Sequence, residues 1–238
     1  MDLFGGSGLL AHTVKRMYPD ARVIYNDFDG YRQRLESIPT TNKLLENIRQ
    51  ITADLPKDKM IKEPHRQKII DVIARQKGFV DYITLSSSLL FAMQYVKSLE
   101  DLKTKTFYNT VRLGSYNADG YLDGLEVINA DYRYVFESYR SGRTVYLIDP
   151  PYLSTECSAY SNYWKLTDYL NVLDTLKTGN YFYFTSNKSS IIELCEWVAS
   201  KTGGVNPFAG ARVKKVNTSV NYSSSYTDIM LFKNHSIG

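Results

Sequence analysis

Thr144-Val145-Tyr146-Leu147-Ile148-Asp149-Pro150-Pro151-Tyr152 runs five strand-forming residues straight into an acid and two prolines. The run is almost continuously apolar, the pattern of a strand covered on both faces, as in a parallel sheet flanked by helices. Outward from it, Arg22–Asn26 reads as a second strand ending in Asp27-Phe28-Asp29, and Tyr181–Ser186 and Tyr226–Phe232 as two more. Leu9–Met17 and Ser189–Ser200 have helical spacing, the second burying Ile191, Ile192, Leu194, Cys195 and Val198. Short strands alternating with helices predict an α/β fold.

Ligands of open α/β sheets bind beyond the carboxyl ends of the strands, where Asp149–Tyr152 falls. The tetrapeptide suits an exocyclic amine on a flat heterocycle, a poor nucleophile because its lone pair is delocalised into the ring. The Asp149 carboxylate and the Pro150 carbonyl can both accept from such an NH2 group and favour a pyramidal nitrogen. Pro150 and Pro151 hold that backbone extended, so the acceptor geometry is fixed beforehand. Tyr152 can stack on the ring. Without a ligand, the same residues would make a strand-terminating turn.

Near the N-terminus, Asp2-Leu3-Phe4-Gly5-Gly6-Ser7-Gly8 places a strand end, a glycine turn and a helix start in succession. Glycines let the backbone approach a ligand, and the helix start supplies unpaired N–H donors. Asp27, about twenty residues on, is placed to bind ribose hydroxyls, which fits any adenosine-containing cofactor. In a G-x-G-x-x-G reading the last position is Ala11, which weakens a dinucleotide assignment without excluding it. Val127-Ile128-Asn129-Ala130-Asp131-Tyr132 reads as another strand ending in an acid; Asp131 could accept from an adenine amine, cap the next helix, or do both.

From about Thr40 to Leu125 the alternation stops. Pro39, Pro56 and Pro64 punctuate the start, helical patterns fill Asn42 to Lys103, and Tyr108–Asp123 reads as a hairpin or exposed loop. Pro64–Lys77 puts Ile69, Ile70, Val72 and Ile73 together and leaves His65, Arg66, Lys68, Arg75 and Lys77 on its remaining surface. The division predicted is a domain of residues 1–40 and 126–238 interrupted by an insert, 41–125. The 238 residues are 43% hydrophobic and 23% charged, with net charge +4 and 20 tyrosines. That excludes a disordered chain. No apolar run approaches the roughly 18 residues that span a bilayer. Cys157, Cys195, His12, His65 and His235 lack metal-ligand spacing, so no metal is expected. The opening residues do not read as a signal peptide, and a cytoplasmic setting is expected.

The ordered motifs Asp2–Gly8, insert, Asp149–Tyr152 resemble the Dam-like (alpha group) adenine-specific DNA methyltransferases, most of all phage- and prophage-borne members. Tyr25–Asp29 is similar to that family's ribose-binding segment, Asn129–Tyr132 to its adenine-contacting one, and Phe184-Thr185-Ser186-Asn187-Lys188 to a later stretch. The resemblance implies a class I, Rossmann-like seven-stranded mixed sheet with Tyr226–Phe232 antiparallel, and a mainly helical target-recognition insert. It implies transfer of a methyl group from S-adenosylmethionine to the N6 amine of an adenine flipped out of double-stranded DNA. Asp149, Pro150, Pro151 and Tyr152 would be catalytic. Asp2, Phe4, Gly5, Gly6, Ser7, Gly8, Asp27, Phe28, Asp131 and Tyr132 would hold the cofactor. Within Leu153–Trp164, Tyr160 and Tyr163 would hold the extruded base, and Asn109 and Arg112 of the insert are the expected base readers.

Family members carry a further segment before the glycine loop, with a Lys or Trp for the cofactor's methionine portion. This chain begins inside the expected first strand, so that strand should be shortened. The alternatives are a remnant that binds cofactor or DNA without turnover, or a methyltransferase of RNA or cytosine N4. Asp149 argues against cytosine N4, where Ser more often opens the motif. A nicotinamide oxidoreductase leaves Asp149–Tyr152 unexplained. Host protection by restriction–modification and a phage role both fit.

Overall fold

The computed structural model describes residues 1–92, 94–141, 143–153, 164–221 and 224–234. The chain forms two compact units, Met1–Tyr31 with Leu122–Gly238, and Arg32–Tyr121. In chain order, α1 (Leu9–Met17) and β1 (Val23–Asn26) come first, and α2 (Tyr31–Glu36) leads into the second unit. That unit holds α3 (Ile38–Ile51), α4 (His65–Ala74), α5 (Tyr82–Leu89) and α6 (Leu99–Lys103). The first unit resumes with β2 (Leu125–Ile128), α7 (Tyr132–Ser138), β3 (Val145–Ile148), α8 (Leu166–Leu176) and β4 (Asn180–Ser186), and closes with α9 (Ile191–Thr202), β5 (Arg212–Asn221) and β6 (Ser224–Lys233).

The seven-stranded sheet expected from sequence is not what the described residues form. β1 and β2 make a parallel two-stranded ladder, and β3-β4-β6-β5 a four-stranded one, parallel between β3 and β4. β6 is antiparallel to β4 and β5, the orientation expected for Tyr226–Phe232. Met1–Leu3 is too short to form a strand but bonds to both ladders. The Asp2 N–H donates to the Ile24 carbonyl (2.8 Å), and the Asn26 N–H to the Asp2 carbonyl (3.1 Å). On the other side, the Leu3 N–H donates to Leu147 (3.1 Å), and the Leu147 N–H to Met1 (2.7 Å).

The first unit buries Ile148 of β3, Tyr181 and Tyr183 of β4, and Leu231 of β6 against Val172 and Leu176 of α8 and Ile191 and Cys195 of α9. Ala11 of α1 packs with Val23 and Tyr25. In the second unit, Leu44, Leu45 and Ile48 of α3 meet Ile69, Ile70 and Ile73 of α4, with Leu85, Leu89, Leu102 and Phe107. Spacings of three and four residues put each set on one helix face. The sequence boundaries of 41 and 125 differ from those of the unit, Arg32 and Tyr121. At its start the chain is in α2, where no strand marks the change. Tyr108–Asp123 forms no hairpin; Tyr108 makes an isolated bridge to Met60, and turns follow. Among the described residues, no helix is long and apolar enough to cross a membrane.

Candidate functional site

The glycine turn is shaped by what lies under it. A Cβ on Gly5 would sit 2.1 Å from Cε2 of Tyr25 and 2.8 Å from the Asn26 carbonyl oxygen, so only glycine lets the turn lie this close to β1. Gly6 and Gly8 have φ of +48° and +77°, the left-handed region glycine favours. The Gly8 N–H then donates to the Gly5 carbonyl (2.6 Å), and Gly8 accepts from His12 in the first turn of α1 (2.8 Å). The fully buried Tyr25 places its hydroxyl 2.8 Å from the Gly6 carbonyl and 3.0 Å from Asp27 Oδ1, within reach of either.

Two asparagines tie the neighbouring strand ends together. Buried Asn26 donates through Nδ2 to the carbonyls of Leu3 (3.1 Å) and Ala130 (2.9 Å), and its Oδ1 accepts from the Ala130 N–H (3.0 Å). Asn129 Nδ2 donates to the Asp27 carbonyl (2.7 Å). These bonds lock the loops after Leu3, β1 and β2 to one another. A cavity of about 280 Å³ opens against them and against the end of β3.

Of the residues expected from sequence, Phe4, Gly5, Gly6, Phe28, Asp131, Tyr132, Asp149 and Pro151 line this cavity. The structure takes up others differently. Asp27 does not line it: the carboxyl is buried, and Oδ1 accepts from the Tyr31 N–H (2.6 Å) at the start of α2. Asp29, two residues on, is the acid that reaches the lining from this loop. Asp2 is wholly buried, and neither carboxylate oxygen closes a hydrogen bond of ordinary geometry. Ser7 is exposed and Gly8 buried; neither lines the cavity. Pro150 is buried, and Tyr152 accepts through its carbonyl from the Tyr169 hydroxyl (3.4 Å).

Asp131 has both carboxylate oxygens engaged. Arg133 donates from Nε to Oδ1 (2.9 Å) and from its terminal nitrogen to Oδ2 (2.8 Å), and the Arg133 N–H donates to Oδ1 (2.9 Å), capping α7. The guanidinium holds the Asp131 carboxyl below the usual range. Asp149 faces open solvent on one side yet stands among protein walls; desolvation first, then the Asp228 carboxylate, push it up to about 6. At neutral pH it is mainly a carboxylate, an acceptor. Burial pushes the Tyr132 hydroxyl up to about 12.

In the second unit, Asn109 is corrected as a base reader. It is buried, and its Nδ2 donates inward to the carbonyls of Leu55 (3.0 Å) and Pro56 (3.3 Å), leaving no amide edge at the surface. Arg112 is exposed, donates to Gly114 (3.1 Å) and lies over the Tyr116 ring at 4.3 Å. Tyr160 and Tyr163 lie outside the described residues. Leu3, Asn26, Asp29, Arg133, Trp164 and Asp168 also line the cavity, and the sequence did not single them out as lining residues. Only Asp29 and Trp164 had a signal, as a second acid beside Asp27 and as the last aromatic of the stretch after Tyr152. Among the described residues, no group of three or more His, Cys, Asp or Glu could hold a metal.

No family model matches the chain. Over 239 residues, 98% of its own length and 80% of the relative's, it is 38% identical to a Haemophilus influenzae protein named "Putative methyltransferase".

Proposed function

The chain belongs to the methyltransferases with that relative, and on this premise we propose that it methylates the N6 amine of an adenine flipped out of duplex DNA. The observation that carries the reading is the meeting of Asp149 and Pro151 with Phe4, Gly5 and Gly6 at one cavity. S-adenosylmethionine is the methyl donor that suits it. The Gly5–Gly6 turn, held close against β1 because Gly5 has no Cβ to meet Tyr25, and the Asp29 carboxylate on the same cavity lining fit an adenosyl group. The order β2-β1-(residues 1–3)-β3-β4-β6-β5 read through the bonds of Met1–Leu3 is the arrangement we propose as this protein's class I sheet.

When bound, S-adenosylmethionine supplies an electrophilic methyl group on a positively charged sulfur. The chain's part is positioning. Asp149 accepts from one hydrogen of the exocyclic amine and the Pro150 carbonyl from the other, turning the nitrogen lone pair out of conjugation with the ring. The Asp149 carboxylate, with its raised proton affinity, is also placed to take the proton the amine gives up. Phe4, Tyr132 and Trp164 form an aromatic side of the cavity. The insert, residues 32–121, is the proposed duplex-binding unit, with exposed Arg112 as a candidate contact.

Transfer of labelled methyl groups to unmethylated duplex DNA, with nucleosides resolved by mass spectrometry, tests this reading. Labelled N6-methyldeoxyadenosine is expected from the protein and not from Asp149→Ala. Label on cytosine, label on RNA alone, or label undiminished in Asp149→Ala would each refute it.

A further inference from the structure

Trp164, the last aromatic of the stretch after Tyr152, makes the most aromatic contacts at the cavity among the described residues. Its ring meets Phe4 of the glycine turn edge-on at 5.5 Å and 63°, and Tyr169 of α8 at 5.1 Å and 60°. It lies within 20° of parallel to Tyr132 at 6.3 Å, and Tyr132 in turn touches Phe4 at 5.0 Å. Its backbone is set by the start of α8: the next residue, Lys165, donates its N–H to Asp168 Oδ2 at 2.8 Å. Tyr169, buried at 4% exposure, donates its hydroxyl to the Tyr152 carbonyl. One indole thus touches the glycine turn and, through one tyrosine, the catalytic tetrapeptide.

We infer that Trp164 is a positioning residue: its indole is the wall against which the cofactor's adenine packs, and through Tyr169 it keeps that ring in register with Asp149–Tyr152. The inference rests on the cofactor assigned above. Tyr132 and Trp164, nearly parallel, offer a flat heterocycle one common orientation, and aromatic faces attract purines whatever their hydrogen-bonding edge. The half-buried indole also packs at the edge of the core, which an aliphatic side chain could fill without offering a π-face.

Trp164 and Trp197 are the chain's two tryptophans, and Trp197 is exposed on α9, outside the cavity lining. Trp197→Phe therefore leaves Trp164 as the sole indole reporter. Titrating that protein with S-adenosylhomocysteine or adenosine should change its emission saturably, and homocysteine should not. Trp164→Leu should weaken calorimetric binding of S-adenosylhomocysteine about 10-fold or more, the loss of one base–aromatic stack, with Trp164→Phe restoring most of it. In methyl transfer, Trp164→Leu should raise KM for S-adenosylmethionine and leave KM for DNA unchanged. If Trp164→Leu does not fold, the emission titration and Trp164→Phe still decide. Unmoved emission where calorimetry shows saturation, or undiminished binding by Trp164→Leu, would overturn the role of Trp164 and leave the cofactor reading standing. No calorimetric binding by the unmutated protein would overturn both.

Discussion

Asp2 is a carboxyl with no exposed surface and no hydrogen bond of ordinary geometry. Burial pushes it from 3.8 up to about 7; the Met1 ammonium and the nearby Ala11 and Phe4 amides act against that rise, and Asp149 adds to it. The folded protein therefore keeps this proton up to about pH 7, whereas the unfolded chain releases it near pH 4. Folding takes up a proton in that window, so stability falls as pH rises through it and levels off above. Asp2→Asn keeps the shape and removes the proton linkage. Urea midpoints at about pH 5 and about pH 8 should differ less in the variant than in the parent. An unchanged difference would show that Asp2 does not carry the slope. Asp149, raised to about 6, contributes in the same sense and remains in the variant. None of this was legible in the sequence, where Asp2 is one more motif acid. Asp27 and Asp29 are likewise alternatives on paper, and it takes the bonds from the Tyr31 N–H and the Tyr25 hydroxyl to commit the first of them. Asn109 resembles a base reader by residue type alone; its burial depends on the carbonyls of Leu55 and Pro56, over fifty residues earlier in the chain.

Two helices begin on an aspartate, and their surroundings set what each cap is worth. Asp81 caps α5 from the interior of the second unit, at 5% exposure. Its Oδ1 accepts from the Thr84 N–H (3.0 Å), and its Oδ2 from the Thr84 hydroxyl (2.6 Å) and Arg34 Nε (3.1 Å). Asp131 caps α7 from an exposed position. Asp81→Ala removes a cap together with the ion pair to the mostly buried Arg34, which keeps its bond to the Thr84 hydroxyl, and should cost about 2–4 kcal/mol; Asp131→Ala should cost about 1 kcal/mol or less. Urea denaturation of the two variants checks the order, and equal losses would refute it. Strong periodicity made elements legible: α1 covers the expected Leu9–Met17, and β3 and β4 fall within a residue of their predicted bounds. β5 was missed because Arg212, Lys214, Lys215, Asn217 and Thr218 break any apolar run. It is an edge strand, exposed along Arg212–Asn217, and it is defined by pairing with β6. α8 was missed too, although its buried Tyr169, Val172, Leu173 and Leu176 recur at helical spacing.

Across the whole molecule, charge is divided unevenly between the two units. Residues 32–121 hold 15 Lys and Arg against 10 Asp and Glu, a net of +5, and the remaining residues hold 14 against 15, a net of −1. The overall +4 is thus a property of the insert, which the composition of the full chain conceals. On α4 the apolar face is spent on Ile69, Ile70 and Ile73, while Lys68 and, just beyond the helix, Arg75 and Lys77 are exposed. A surface of that kind attracts a polyanion without reading it, since phosphate contacts carry no sequence information. Changing Lys68, Arg75 and Lys77 together to Gln should therefore weaken duplex binding alike for any sequence. Every phosphate that the variant no longer neutralises should reduce the slope of log affinity against log salt by about 0.9. Binding of S-adenosylhomocysteine should be unaffected. Fluorescence anisotropy with two unrelated duplexes over a range of salt measures both the affinity and its slope. An unchanged slope would mean that these three side chains neutralise no phosphate; a weakening confined to one duplex would mean that they read bases, and phosphate neutralisation would be the wrong account of them.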